Sequence, residues 1–266
     1  MFGFKPAIDF VGGSLIELQV NNSEASAQAI SEIAAKVYEV RDLRQVADQR
    51  FILEGSDITN ETKVALFTAL ETQFQSVTEL RFESIGPTLS RELLVKTITA
   101  VFLVAVIIAL YVWRQFDELK YGVCAIIAMF HDSLILLGSF SLLGYFFGVQ
   151  VDVLFVTALL TTLSFSVHDT IVVYDRIREL KRKNAGKDYK ILVNTAVLET
   201  LSRSINNSVT IIIMLAALSL LGGESIRWFS VALLIGAITG TYSSTFTAAP
   251  LLLLWEDIAL KRKQNR

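Results

Sequence analysis

Two kinds of hydrophobic spacing divide this chain near residue 88. Before that point apolar positions alternate with polar ones or recur every three to four residues; after it they run together. Alternation predicts strands over 11–20, over 43–54 (one bent strand or two short ones) and over 77–85, and helical spacing predicts helices over 24–40 and 60–74. Ser23 is placed to start the first helix, and Asp57 or Thr59 the second. The order β-α-β(β)-α-β predicts a ferredoxin-like α+β unit of roughly 80 residues. Pro6 and Pro87, two of only three prolines, flank it.

Beyond Pro87, residues 97–113, 133–150, 204–223 and 228–255 contain no Asp, Glu, Lys or Arg, and 153–168 forms a shorter run of the same kind. A helix rises ~1.5 Å per residue and the hydrocarbon core is ~30 Å thick, so runs of about 18 apolar residues predict membrane spans. Five helices are expected, over 92–113, 121–147, 151–175, 203–221 and 227–255. The fold class is therefore a multi-pass α-helical membrane protein carrying a small ferredoxin-like α+β domain. Its parts are 1–88 (extracytoplasmic domain), 89–256 (helical bundle in membrane lipid) and 257–266 (basic cytoplasmic tail).

The orientation follows from the basic residues of the short connections. Arg176, Arg178, Lys181, Arg182, Lys183, Lys187 and Lys190 cluster between the third and fourth spans, and Lys261, Arg262, Lys263 and Arg266 in the tail. The connection 148–152 has no Lys or Arg. The basic segments are assigned to the cytoplasm of a cell (inner or plasma) membrane, which leaves the N-terminal domain outside. Residues 1–10 hold no hydrophobic stretch able to act as a signal or anchor, so a helix preceding this sequence is expected.

Composition removes several function classes. A net charge of −2 offers no overall basic surface for nucleic acid. The single cysteine, Cys124, forms no intrachain disulfide. No Gly-rich phosphate loop ending in Lys-Ser/Thr occurs, and the soluble part shows neither a nucleophile–base set nor metal-ligand spacing. An enzyme is not expected, and neither a cofactor nor a metal.

Charges inside spans cost at least ~2.5–3.5 kcal/mol each on insertion scales, which makes them functional candidates. The dipeptide His-Asp occurs twice, as His131-Asp132 in the second span and His168-Asp169 in the third. The fourth opens with Arg203 and Asn206-Asn207-Ser208; the fifth carries Gly240, Tyr242, Ser243 and Ser244. Counted from the outer helix ends at ~1.5 Å per residue, Asp169 lies ~26 Å deep, Arg203 ~28 Å, Asp132 ~24 Å and Ser244 ~26 Å. The polar groups thus share one layer in the cytoplasmic third of the bilayer. Blander roles exist for each: Arg203 as a snorkelling anchor, Asp169 as half of a structural ion pair, Asp132 and the histidines as helix-contact residues, Asp175 as a boundary salt bridge beside Arg176 and Arg178. Gly236 and Gly240 suit a close-packing surface, and Pro250 a kink. The functional reading is that burial raises a carboxylate's pKa and a nearby Arg lowers it. A carboxylate that gains and loses Arg contact then takes up and releases a proton, and a membrane potential of 100 mV supplies ~2.3 kcal/mol per charge to drive the cycle.

Asp9-Phe10-Val11-Gly12-Gly13, preceded by Ala7-Ile8, resembles the G-I-D-F-x-G-G signature of the SecF family of protein-export membrane subunits. The run from Asp169 to Glu179 is similar to its N-D-T-x-V-x-x-D-R-I-R-E segment. Gly222-Gly223-Glu224-Ser225-Ile226-Arg227 and Gly240-Thr241-Tyr242-Ser243-Ser244 resemble its final hairpin. Ala7 replaces the first Gly of the signature, His168 stands where Asn is usual, and Asn207 and Ile211 where Thr is usual. The resemblance implies the resistance-nodulation-division fold, six spans rather than five, and a SecD-like partner. It also implies work beside the Sec translocation channel on exported unfolded polypeptides, driven by the ion gradient. Asp169 and Arg203 match the family's ion-coupling pair; Asp132, His131, His168, Asp175, Asn206, Ser243 and Ser244 form the accessory polar layer. A half-transporter of the same superfamily, exporting lipids or small hydrophobic molecules, is the alternative.

The orientation is open to a direct test. In a Cys124→Ala background, Ser56→Cys should react with an impermeant thiol reagent added outside, and Lys187→Cys only after the membrane is opened. Equal labelling of the two from outside would contradict it.

Overall fold

The computed structural model describes residues 3–22, 25–47, 49–74, 76–116, 118–184 and 186–264. Ser23, expected as a helix start, lies outside them, as does Arg266 of the tail. The described chain forms two compact units, Pro6–Ile98 and a second made of Met1–Lys5 with Thr99–Arg266.

In the first unit a short helix α1 (Ile8–Val11) leads into β1 (Gly13–Val20), followed by α2 (Ala27–Ala34), β2 (Val40–Ala47), β3 (Arg50–Gly55), α3 (Asn60–Phe74) and β4 (Val77–Ile85). The four strands are antiparallel in the order β2-β3-β1-β4, the ferredoxin-like arrangement. Ile16, Leu18 and Val20 alternate onto the inner face of β1, where the pleat puts every second residue. Phe51 and Leu53 join them from β3; Ile30 and Ala34 of α2 and Leu66, Leu70 and Phe74 of α3 cover the sheet. The helical residues recur at four-residue steps, the spacing that keeps one face toward the core.

The ends of these elements depart from expectation for local reasons. The strand expected from residue 11 begins at Gly13, because Gly12 and Gly13 adopt φ of 72° and 121° between α1 and β1. A β-carbon on Gly13 would stand 2.1 Å from the Gly55 carbonyl oxygen, so this turn needs glycine on steric as well as conformational grounds. Arg41 Nη1 donates to the Gly12 carbonyl at 2.8 Å and ties the turn to β2. The helix expected over 24–40 is shorter: Ser26 caps it by accepting from the Ala29 amide at 3.2 Å. Beyond its end, Tyr38 is pinned by donating to the Ser56 carbonyl at 2.5 Å. The stretch 43–54 resolves into two strands paired with each other around Gln49, which has φ 62°. Of the two caps considered for α3, Thr59 is used, accepting from the Thr62 amide.

The second part of the chain is helical: α4 (Pro87–Gln115), α5 (Leu119–Phe147), α6 (Val153–Lys183), α7 (Tyr189–Leu221), α8 (Glu224–Ser243), a π-helical segment Ser244–Ala248, and α9 (Ala249–Gln264). Among the described residues five spans are long and apolar enough to cross a membrane, the last running through α8, the π segment and α9. The helices outrun the uncharged stretches, most clearly in α6 and α7. Hydropathy marks where hydrocarbon ends, whereas backbone hydrogen bonding carries a helix on into water. Arg176 bridges the two extensions by donating to Glu199 at 2.6 Å and to Glu179.

The bundle packs around Tyr121, Ala125 and Met129 of α5, Val173, Tyr174 and Ile177 of α6, Val193 and Ala196 of α7, and Ala249 and Leu252 of α9. Phe116, Tyr121 and Tyr174 meet ring to ring, with centroids 5.4–5.8 Å apart. Small residues let α8 lie close on α6: a β-carbon at Gly236 would fall 2.0 Å from Thr162 Oγ1, and one at Gly240 3.4 Å from Ser166 Cα. By contrast, Phe102, Leu103, Ile107, Leu110, Tyr111 and Trp113 of α4 are all exposed.

Gly236→Leu should therefore separate α6 from α8 and cost on the order of 1–3 kcal/mol through overpacking. Gly138→Leu, where nothing lies within 4 Å of the added carbon, should be near neutral. Thermal unfolding of the purified protein in detergent measures the difference, and equal melting temperatures would refute the close-packing role.

Candidate functional site

The centre of the bundle holds a chain of polar contacts that joins three helices. Asp132 of α5 is fully buried. Its Oδ2 accepts from Ser243 Oγ of α8 at 2.5 Å and its Oδ1 lies 2.9 Å from His131 Nδ1. Ser243 also reaches the Gly240 carbonyl at 3.3 Å. Two residues before Ser243, Thr241 Oγ1 donates to Ser208 Oγ of α7 at 2.6 Å, and Ser244, also fully buried, donates to the Thr241 carbonyl at 3.0 Å. Asp132 on α5 and Ser243 on α8 thus stand at one level; helix counting places the next residue, Ser244, near the depth of Asp132. The hydroxyls of Ser166 and Thr170 on α6 are buried and have no hydrogen-bond partner among the described residues.

The other predicted residues are spread over two neighbouring places. Asp169 is half-buried on α6, and His168 beside it is exposed. Arg203 is exposed on α7 and lines a cavity of ≈560 Å³ together with Val172, Asp175, Arg176, Glu179, Glu199 and Thr200. Among the described residues no ion pair joins Asp169 to Arg203; Asp175 approaches Arg178 at 3.6 Å. Asn206 is exposed one turn beyond Arg203. The structure gathers Asp132, His131, Ser243 and Ser244 into one cluster and places Arg203 with Asp175 in a cleft of opposite charges between α6 and α7.

Two features escaped sequence reasoning. The first is the π-helical form of the turn at Ser244–Ala248: Pro250 marks a kink there, but nothing in the run Ser243-Ser244-Thr245-Phe246-Thr247 specifies its kind. The second is a charge network at the edge of the bundle. Lys120 is buried and contacts Glu256 at 2.7 Å and Glu118 at 3.0 Å, while Glu118 also takes Lys181 at 2.7 Å. These contacts connect the start of α5 with α6 and α9.

These features define a class: a membrane bundle with a carboxylate and hydroxyl network at its core, attached to a small ferredoxin-like domain. The comparisons narrow it. The model of the C-terminal part of the protein-export membrane proteins SecD and SecF matches residues 65–257, and the SecD/SecF GG motif matches residues 1–24. The chain belongs to the SecD/SecF family of protein-export membrane proteins, and its relatives lie on the SecF side. It is 40% identical to the protein translocase subunit SecF of Thermobaculum terrenum, over 97% of this chain and 86% of that one. It is 38% identical to the same subunit of Anaerolinea thermophila, with the same coverage of both. A crystal structure of SecDF, a translocon-associated membrane protein from Thermus thermophilus, superposes with a TM-score of 0.85 at 32% identity over 96% of this chain. SecDF in a super-membrane-facing form gives 0.69 at 28%. This chain spans only about a third of those SecDF chains, 35% and 36%.

The edge network has a pH signature. Partial burial pushes the Glu118 carboxyl up, but its hydrogen bonds to Lys181 and Lys120 outweigh this and hold it below the ordinary value of 4.5. A carboxyl depressed on folding stabilises the protein above its unfolded value, and that contribution is lost as pH falls through the folded value. Glu118→Gln should thus lower the melting temperature at pH 7 and flatten its decline as pH falls below the ordinary carboxyl value of 4.5. An unchanged slope in detergent-solubilised protein would contradict the network.

Proposed function

We propose that this chain assists movement of unfolded polypeptides across the membrane beside the Sec translocation channel, drawing on the transmembrane ion gradient and working with a SecD-like partner. One observation carries the reading. Asp169 and Arg203 stand on consecutive helices of an apolar bundle, and among the described residues no bond joins them. Opposite charges on neighbouring helices that are not locked together permit two states, one paired and one with a neutral carboxyl, and a proton or cation gradient can bias the exchange between them. The polar chain Asp132–Ser243 and Thr241–Ser208 keeps the surrounding helices linked while this occurs.

The small domain, placed outside by the basic connections, suits contact with emerging polypeptide. The apolar residues of α4 suit lipid or the helices of a second half of the same fold. A lipid-exporting half-transporter would need an apolar pocket in its outer domain; here the inner face of the sheet is filled by α2 and α3.

Asp169→Asn keeps shape and removes the titratable group, and Arg203→Met removes the cation. Each should abolish the gradient-dependent part of reporter export while the protein stays at normal abundance in the membrane. A merely structural pair would instead lower abundance in each single variant, with recovery in the double variant. Export is measured with and without an uncoupler, and an Asp169→Asn protein that still responds to the gradient would end the coupling role.

A further inference from the structure

The last span is interrupted where its contacts are most specific. A π-helical turn takes one more residue than an α-turn and leaves the carbonyls around it free for other donors. Pro250, just beyond Ser244–Ala248, has no N–H to offer the Phe246 carbonyl four residues back, which favours such a departure there. Each end of the segment is held by a different helix. At the upstream end Ser243 donates to Asp132 of α5 at 2.5 Å. At the downstream end the Ala248 carbonyl accepts from the Tyr174 hydroxyl of α6 at 2.9 Å. Asp132, Tyr174, Ser243 and Ala248 are all fully buried.

We propose that Ser244–Ala248 is the joint through which movement of α6 reaches the last helix, with Asp132 and Tyr174 as its positioning residues, acting as hydrogen-bond partners and not as ion carriers. Tyr174 lies five residues beyond Asp169 on the same helix. A displacement of α6 that follows a change of state at Asp169 pulls directly on Ala248, while Asp132 keeps the other end in place. Both oxygens of Asp132 are engaged, by His131 and Ser243, as suits a fixed anchor. An asparagine there still presents one carbonyl oxygen to Ser243; a leucine presents none.

This inference rests on the ion-coupled export reading, and two measurements separate the two. In the full-length protein in lipid nanodiscs, Tyr174→Phe keeps the ring packed against Phe116 and Tyr121 and removes only the hydroxyl. Amide hydrogen exchange over residues 243–249 should become roughly fivefold to tenfold faster, the factor that one lost hydrogen bond of ordinary strength allows, with the first half of α8 unchanged. In export assays Tyr174→Phe and Asp132→Leu should lose the uncoupler-sensitive component, and Asp132→Asn should restore it relative to Asp132→Leu. Unchanged exchange in Tyr174→Phe overturns the joint whatever the export result. Asp132→Asn as inactive as Asp132→Leu overturns the positioning role and makes Asp132 an ion carrier.

Discussion

A carboxylate that sits in hydrocarbon must find its hydrogen bonds from protein, because no water is there to supply them. Asp132 meets that demand with Ser243 and His131, and the arrangement of the bundle follows from it. α5 and α8 have to run at a fixed relative height for the bond to form. α8 must then lie against α6 closely enough to bury Ser243, and Gly236 and Gly240 allow that approach. Thr241 brings α7 into the same chain through Ser208. Apolar packing alone would let helices slide past one another in lipid, since lipid tails are as apolar as leucine. Polar bonds of this kind set the register.

α6 has a central place in this scheme. It carries Asp169, holds the π segment through Tyr174 and presents buried hydroxyls at Ser166 and Thr170 that have no hydrogen-bond partner among the described residues. Beyond the apolar stretch it continues to Lys183, where Arg176 and Glu199 tie it to α7 and Lys181 ties it to Glu118. One helix thus touches the candidate ion site, the joint in the last span and the charged edge of the bundle. A change of charge at Asp169 therefore has short mechanical routes to both ends.

The small N-terminal unit is governed by a different constraint. Water satisfies one face of its sheet, so alternation along β1 suffices to define inside and outside. Its one demanding point is the Gly12-Gly13 turn, where positive φ and the close Gly55 carbonyl coincide. That coincidence is a physical reason for paired glycines in the SecD/SecF GG motif, which matches residues 1–24.

The amino-acid sequence by itself determined the class of protein, the five spans, the strand and helix order of the small domain and the family. Each of these follows from local spacing, from the length of apolar runs or from contiguous motifs such as the stretch from Asp169 to Glu179. Helix counting also brought Asp132 and Ser244, the neighbour of Ser243, to a similar depth, because depth depends only on rise per residue. What it could not supply was rotation about the helix axes. Depth matched Asp169 with Arg203, yet rotation turns Arg203 toward the cleft that holds Asp175. The π form of the turn before Pro250, the hydrogen bond from Tyr174 to Ala248 and the burial of Lys120 between Glu118 and Glu256 were likewise decided only by tertiary structure. The bonds of Ser243 to Asp132, Tyr174 to Ala248 and Lys120 to Glu256 join residues far apart in sequence whose side-chain directions depend on how the helices are turned against one another, and no local pattern encodes that angle.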